Sequence, residues 1–249
     1  MIPYCVRCGL TETIFLETGK FGCPDCHDTF FPGKLIRVPV EHKNLLTRIK
    51  DIKSVGKIEW SDVTYRLRLA RCFRKGFFPF YTNEKDKTRS LLDRHGFEMG
   101  ENAREAKVNA EGIKFYTGDE DHLRMEWMQT PVSLAKNGCF HLPGSLRFLY
   151  EKGLWAWNPK VGFLNSCPTN CGRGDRLSVQ ARTNPESLFL ILSSIENQLG
   201  FSLEFRKIAD ESKVSRNEKD TVLVQISIKN ANPFQKLRFF KILGLLGLV

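Results

Sequence analysis

The sequence predicts a mixed α/β domain carrying a small metal knuckle, and three observations carry that prediction. Four cysteines near the start fall in two Cys-x2-Cys pairs. Runs such as residues 63–71 alternate with the period of a β-strand, while others repeat apolar residues at helical spacing. At 249 residues, 41% hydrophobic and 27% charged, the chain is long enough for one sizeable core, or a core with an appendage.

No apolar run reaches the roughly 18–20 residues that a membrane-spanning helix needs. The opening MIPYCVRCG has no basic segment followed by an apolar one, so the sequence is expected to be cytoplasmic, without a secretory leader and without membrane association. Lys and Arg number 38 against 28 Asp and Glu, a net charge of +10 that favours anionic partners without choosing among them.

Cys5, Cys8, Cys23 and Cys26 form the two pairs, with fourteen residues between Cys8 and Cys23 and with Gly9 and Gly22 beside them for tight turns. Four thiolates at this spacing suit tetrahedral Zn²⁺, and a site closed by four ligands is structural or adhesive rather than catalytic. His27 is a poorer candidate ligand. The knuckle is placed at 1–33.

Residues 34–58 carry seven Lys or Arg, with Leu45, Leu46, Ile49 and Ile52 at helical spacing. A basic connector helix is expected there. Nucleic-acid binding is the weaker reading, because no aromatic platform interleaves with the charges.

A larger domain is expected over 59–249. Val63, Tyr65, Leu67 and Leu69 would share one face of a strand, leaving Arg66 and Arg68 together on the other, roughly 7 Å apart and suited to clamping phosphates. A helix should follow, from a Thr82 cap through Leu91 and Leu92 to Gly96. If 113–125 is one strand, Glu120, His122 and Arg124 share a side. The successive acids Asp119, Glu120 and Asp121 need compensating cations, a need that Mg²⁺ and arginines would meet. Residues 166–176 read as an irregular loop whose N–H groups can face an anion, with Cys167 inside it and Arg176 at its exit. Val222, Val224, Ile226 and Ile228 alternate along a last strand. Phe239 to Val249 should form a terminal helix packed on the sheet or on a partner, and Trp127, Trp155 and Trp157 should pack in the core.

These motifs, in this order, resemble the ATP:guanido phosphotransferases, which include phosphagen kinases and bacterial protein-arginine kinases. Thr64 to Arg71 is similar to the family's SSRVRLAR, and Phe77 to Phe80 to its downstream FPF. Gly118 to Arg124 resembles NEEDHLR, with Gly for Asn and Asp for the first Glu. Cys167 to Asn170 matches CPTN, with Arg176 nine residues after the cysteine as in the family. Residues 5–31, centred on GCPDCHDTF, resemble the zinc-binding activator of protein-arginine kinases.

The resemblance implies an α+β fold, an antiparallel sheet flanked by helices with a four-cysteine zinc knuckle, and phosphoryl transfer from Mg-ATP to a guanidinium. The protein-arginine kinase branch is favoured, so the expected substrate is an arginine-containing protein, with free arginine as the phosphagen alternative. Arg66, Arg68, Arg124 and Arg176 would grip phosphates, Glu120 would accept the guanidinium proton, Cys167 would face the guanidinium as a thiolate, and Asp119 and Asp121 would hold waters around Mg²⁺. A further phosphate arginine of the family has no clear counterpart. Arg206 stands about where it should, with Arg216 the other contender. The family's C-terminal extension and its N-terminal helical domain are not recognised in this sequence. The alternative is a kinase-fold regulatory protein that binds nucleotide or phosphoarginine, using the knuckle for a partner.

Overall fold

Local chemistry fixes the N-terminal knuckle. Gly9 takes φ +74°, turning the chain after Cys8, and the Cys5 N–H donates to Leu10 O at 2.8 Å. Thr11 Oγ1 accepts from the Ile14 N–H, capping helix α1 (Glu12–Thr18). Gly19, at φ +65°, ends that helix by donating to Phe15 O. Helix α2 (Asp25–Phe30) carries Cys26, and Phe15 stacks on Phe21 and Phe30 at 5.2 and 5.0 Å.

The computed structural model describes residues 2–30, 58–75, 84–99, 105–106, 112–118, 120–131, 143–184, 186, 204–208, 221–231 and 233–248. Residues 34–57 of the connector expected at 34–58, together with Thr82, Asp119 and Arg216, lie outside the described residues. The described chain falls into two units. The first holds the described residues within 2–30, 67–127 and 143–175, and the second those within 58–66, 128–131 and 176–248.

In the first unit, strand β1 (Ser61–Arg71) contributes its second half. Helix α3 (Lys85–Arg94) buries Thr88, Leu91 and Leu92 and stops where Gly96 reaches φ +78°. Strand β2 (Glu105–Ala106) pairs antiparallel with β3 (Ile113–Thr117), and β3 with β4 (Leu123–Gln129). The expected single strand over 113–125 is therefore a hairpin. Thr117 opposes Leu123, and Gly118 at φ +75° starts the connection. Its alternation buries Ile113 and Phe115 on β3 and Leu123, Met125 and Trp127 on β4. His122 joins that buried side instead of sharing Glu120's: it is 4% exposed, its Nδ1 accepts from the Phe73 N–H, and its ring lies against Phe73.

Trp155 is fully buried and donates its indole N–H to Phe148 O at 2.8 Å. Trp127 is also core, but Trp157, on the two-residue strand β5 (Trp157–Asn158) that pairs with β6 (Gly162–Phe163), is half-buried beneath the Lys152 ammonium. Its position on a surface ribbon gives it a cation–π partner where core packing was expected.

In the second unit, β7 (Asp175–Thr183) pairs antiparallel with β9 (Val222–Lys229), which pairs with β8 (Glu204–Ile208). The strand order is β2-β3-β4-β1 in the first unit and β1-β7-β9-β8 in the second, with β1 contributing residues to each. Val224, Ile226 and Ile228 are buried as the alternation predicts, but so are Gln225 and Ser227 between them, so both faces of β9 are covered. Helix α4 (Pro233–Leu245) follows β9, beginning ahead of the expected Phe239 and stopping short of Val249. Trp60 Nε1 donates to Leu246 O at 2.7 Å and Tyr65 OH to Leu248 O, fastening the apolar tail within this unit. Among the described residues no helix is long and apolar enough to cross a membrane.

Candidate active site and zinc knuckle

The site loop is set by a buried arginine. Arg71 is fully enclosed, donating to the carbonyls of Leu149 (2.6 Å), Ala70 (2.7 Å) and Arg173 (3.1 Å), with its guanidinium 3.8 Å from the centre of the Phe163 ring. Burial pulls its pKa down to about 10. Gly174 packs against this group at φ +64°, and a Cβ there would lie 2.5 Å from Arg71 Nη1. Its carbonyl accepts the Ala70 N–H, so β1 and the 166–176 loop are locked together.

That loop meets the β3–β4 hairpin through carboxylates. Asp121 is 3% exposed, and its Oδ1 accepts from the Ser166 N–H (2.8 Å) and the Cys72 thiol (3.4 Å), its Oδ2 from Asn170 Nδ2 (2.8 Å). Burial raises its pKa despite those bonds. The expected role of holding water around Mg²⁺ does not fit this placement, because both oxygens are turned into the protein. Burial likewise holds the Cys72 thiol well above its ordinary pKa.

Glu120 remains half-buried. Its Oε1 accepts from Asn170 Nδ2 at 3.1 Å, and its Oε2 pairs with Lys20 Nζ of the knuckle at 3.0 Å. The Lys20 pKa is raised, first by its hydrogen bond to Glu120, with smaller contributions from the charges of Cys167 and Asp121. Cys167, half-buried, lies 3.0 Å from Thr169 Oγ1. Glu120 and Cys167 thus flank one brace built from Asn170, Ser166 and Asp121.

Arg66, Arg68, Arg124 and Arg176 are half-buried on strands β1, β4 and β7. In the first unit Arg68 sits on β1, and Arg124 on β4 lies 4.7 Å from the Tyr116 ring centre, with Glu126 at 3.7 Å. In the second unit Arg66 bonds Ser178 and Gln225, at 3.4 and 3.2 Å, and Arg176 donates to Ser227 at 2.9 Å. Arg206 opposes Gln225 in the β8–β9 register. Sequence reasoning missed Lys20, Cys72 and the bracing role of Asn170. Only Asn170 had a signal, its place in the Cys-Pro-Thr-Asn motif.

In the knuckle, the four sulfurs of Cys5, Cys8, Cys23 and Cys26 lie within 4.8 Å of one another, with Cys5–Cys23 at 3.6 Å, Cys8–Cys26 at 3.4 Å and Cys23–Cys26 at 3.8 Å. A tetrahedron with Zn–S bonds of about 2.3 Å has edges of about 3.8 Å, so the arrangement fits zinc. The thiols also compete. Hydrogen bonding from Cys26 draws Cys23 down to about 6, the same bond raises Cys26, and burial pushes Cys8 up to about 11. Four thiolates here need a cation among them.

Comparison with known proteins agrees with this architecture. The family described as "ATP:guanido phosphotransferase, C-terminal catalytic domain" matches residues 79–226, more than half of the chain. The chain belongs to the ATP:guanido phosphotransferase family. Residues 3–36 match the McsA central zinc-finger domain, and with the sulfur geometry this makes the knuckle a zinc site. Arg66 and Arg68 precede the matched catalytic span.

The chain is 28% identical over 133 residues to the protein-arginine kinase of Clostridium novyi (strain NT), covering 49% of this chain and 38% of that protein. It is 25% identical over 174 residues to that of Clostridium kluyveri, covering 61% and 48%. It therefore spans less than half the length of either relative. Among solved structures, lombricine kinase gives a TM-score of 0.51 at 14% identity, over 92% of this chain and 78% of its own. A taurocyamine kinase from Schistosoma mansoni with bound transition state analog components gives 0.52 at 18%, over 92% and 40%. These two likenesses bear on the fold alone.

Proposed function

We propose that this chain transfers the γ-phosphoryl group of ATP to a guanidinium, that of arginine residues in proteins. The observation that carries the reading is the bridge from Asn170 to Glu120, which fixes a half-buried carboxylate beside the Cys167 loop. A guanidinium cannot attack phosphorus while its lone pairs are tied up by protonation and resonance. Glu120 therefore orients it and takes the proton as the N–P bond forms and the bond to the ADP oxygen breaks. Cys167, with Thr169 as hydrogen-bond partner, faces the same cation. Arg68 and Arg124, and by their motifs Arg66, Arg176 and Arg206, are assigned to phosphate oxygens, whose charge a guanidinium fork matches. Mg²⁺ bound with ATP would neutralise part of the charge on its phosphates. Asp121, with both oxygens bonded inside the protein, would not be among its holders. The similarity to protein-arginine kinases supports protein arginine over free arginine as substrate.

The test is transfer itself. Zinc-loaded protein with Mg-ATP should label an arginine-rich protein such as casein with acid-labile, base-stable phosphate, and Glu120→Gln should lower the rate roughly 10²- to 10⁴-fold. Label on free arginine alone would reassign the substrate. No label, together with nucleotide-induced thermal stabilisation, would leave the regulatory, non-turnover reading.

A further inference from the structure

Two separate contacts seat the knuckle on the catalytic loop. The Phe21 N–H donates to Ser166 O at 2.7 Å, and Phe21 is 1% exposed in an apolar cluster shared with Cys72, Ala156, Leu164 and Cys171. The neighbouring residue, Lys20, is delivered straight to Glu120. Gly19, in the left-handed conformation, ends α1 and turns the chain there. A carboxylate recognises a guanidinium best through both oxygens in parallel. Here Oε1 is engaged by Asn170, which can share it, and Oε2 by a cation of the same charge as the substrate.

We propose that Lys20 is an intramolecular stand-in for the substrate guanidinium, so that the zinc knuckle competes with arginine for Glu120. The proposal rests on the reading of Glu120 as the guanidinium-binding carboxylate. Lys20 and Glu120 side chains are 39% and 25% exposed, so the pair is weak enough to open, and a substrate needs only to displace the ammonium. Competition of this kind multiplies the apparent affinity by the fraction of molecules with the carboxylate open, which for a part-exposed pair is roughly a three- to tenfold loss.

The test is calorimetric titration of the full-length, zinc-loaded chain with Nα-acetyl-arginine amide, beside apparent KM and kcat for phosphorylation of casein. Lys20→Met should bind the probe about three- to tenfold tighter than the parent chain and lower KM by the same factor with kcat unchanged. Lys20→Arg, which restores a cation, should return to parent behaviour, and Glu120→Gln should abolish binding in either background. Unaltered melting temperature in Lys20→Met would show the knuckle still seated through Phe21. If Lys20→Met binds the probe no tighter, more weakly or not at all, Lys20 orients Glu120 or is incidental, and the proposal is overturned. Tighter binding with no phosphoryl transfer in any variant would sink the kinase reading while leaving this competition standing. Transfer with an unchanged KM in Lys20→Met would do the reverse.

Discussion

The side-chain amide of Asn170 donates to two carboxylates at once, reaching Glu120 Oε1 at 3.1 Å and Asp121 Oδ2 at 2.8 Å. One NH₂ group thus sets the distance between the Glu120 carboxylate and a buried anchor. Asn170→Ala should lower kcat roughly 10- to 100-fold, because sub-ångström placement of the base is lost. Its melting temperature should stay within a few degrees, since the Asp121 link to Ser166 persists. Steady-state kinetics beside a melting curve check this; a kcat within twofold of the parent would remove Asn170 from the positioning role.

Asp121 makes a prediction about pH. Its folded pKa is raised, chiefly by burial, so the folded state holds its proton more tightly than the unfolded chain does. The stabilisation from that proton is full below the unfolded value, about 3.9, and is lost as pH rises through the folded pKa. Asp121→Asn cannot ionise. Its loss of acceptors is a constant penalty, whereas the wild-type advantage over it should shrink as pH climbs from about 4 and then level off. Denaturant titrations of both proteins at several pH values read this directly. A difference that grows with pH would mean the carboxylate is stabilised in its charged form.

The period-two pattern of 63–71 and 222–229 was enough to place β1 and β9, because a strand face that must be buried writes itself into alternation. The four cysteines were equally legible, since metal ligation demands fixed residue types at fixed spacing. The hairpin between Thr117 and Leu123 was not, because a five-residue acidic connection carries no periodicity and only the positive φ of Gly118 ends the strand. The resemblance to known motifs named Glu120 and Cys167, but it offered no way to see Asp121 turned inward. Lys20 is one lysine among many in a basic chain, and its approach to Glu120 exists only once the knuckle has been seated.

Arg71 and Gly174 should be mutually dependent. Arg71→Met strands three carbonyls, those of Ala70, Leu149 and Arg173, and should cost about 2–4 kcal/mol. Gly174→Ala places a methyl group 2.5 Å from Arg71 Nη1 at a positive φ, and should cost about 1–3 kcal/mol. In the double variant the clash is relieved, so the combined loss should fall short of the sum. Strict additivity in a double-mutant cycle would show that the two do not meet.

Thiol chemistry should separate the cysteines by environment. Cys171 is buried, and that burial pushes its thiol up to about 12; Cys72 is buried beside Asp121. Iodoacetamide at pH 8 on the native, zinc-loaded protein should therefore modify half-buried Cys167 while sparing Cys72 and Cys171, as mapped by peptide mass spectrometry. Arginine-containing substrate should slow the labelling of Cys167. Equal labelling of Cys171 would show that the loop opens in solution.

Zinc removal should disturb more than the knuckle. Cys5, Cys23 and Cys26 share an apolar cluster with Cys72, Ala156, Leu164 and Cys171, and the Phe21 N–H is bonded to Ser166 O. Without the ion, four close sulfurs lose the charge that lets them sit together, and a structural zinc supplies on the order of 10 kcal/mol in isolated fingers. The knuckle should unfold and withdraw its side of that cluster. Metal analysis should find one zinc per chain, and a chelator should lower the melting temperature by at least about 5 °C. Stoichiometric zinc should reverse the change. Cys23→Ser should reproduce the chelated state. A chain that loses zinc and keeps its melting temperature would mean that the knuckle and the catalytic loop are energetically separate, and that their shared cluster contributes little.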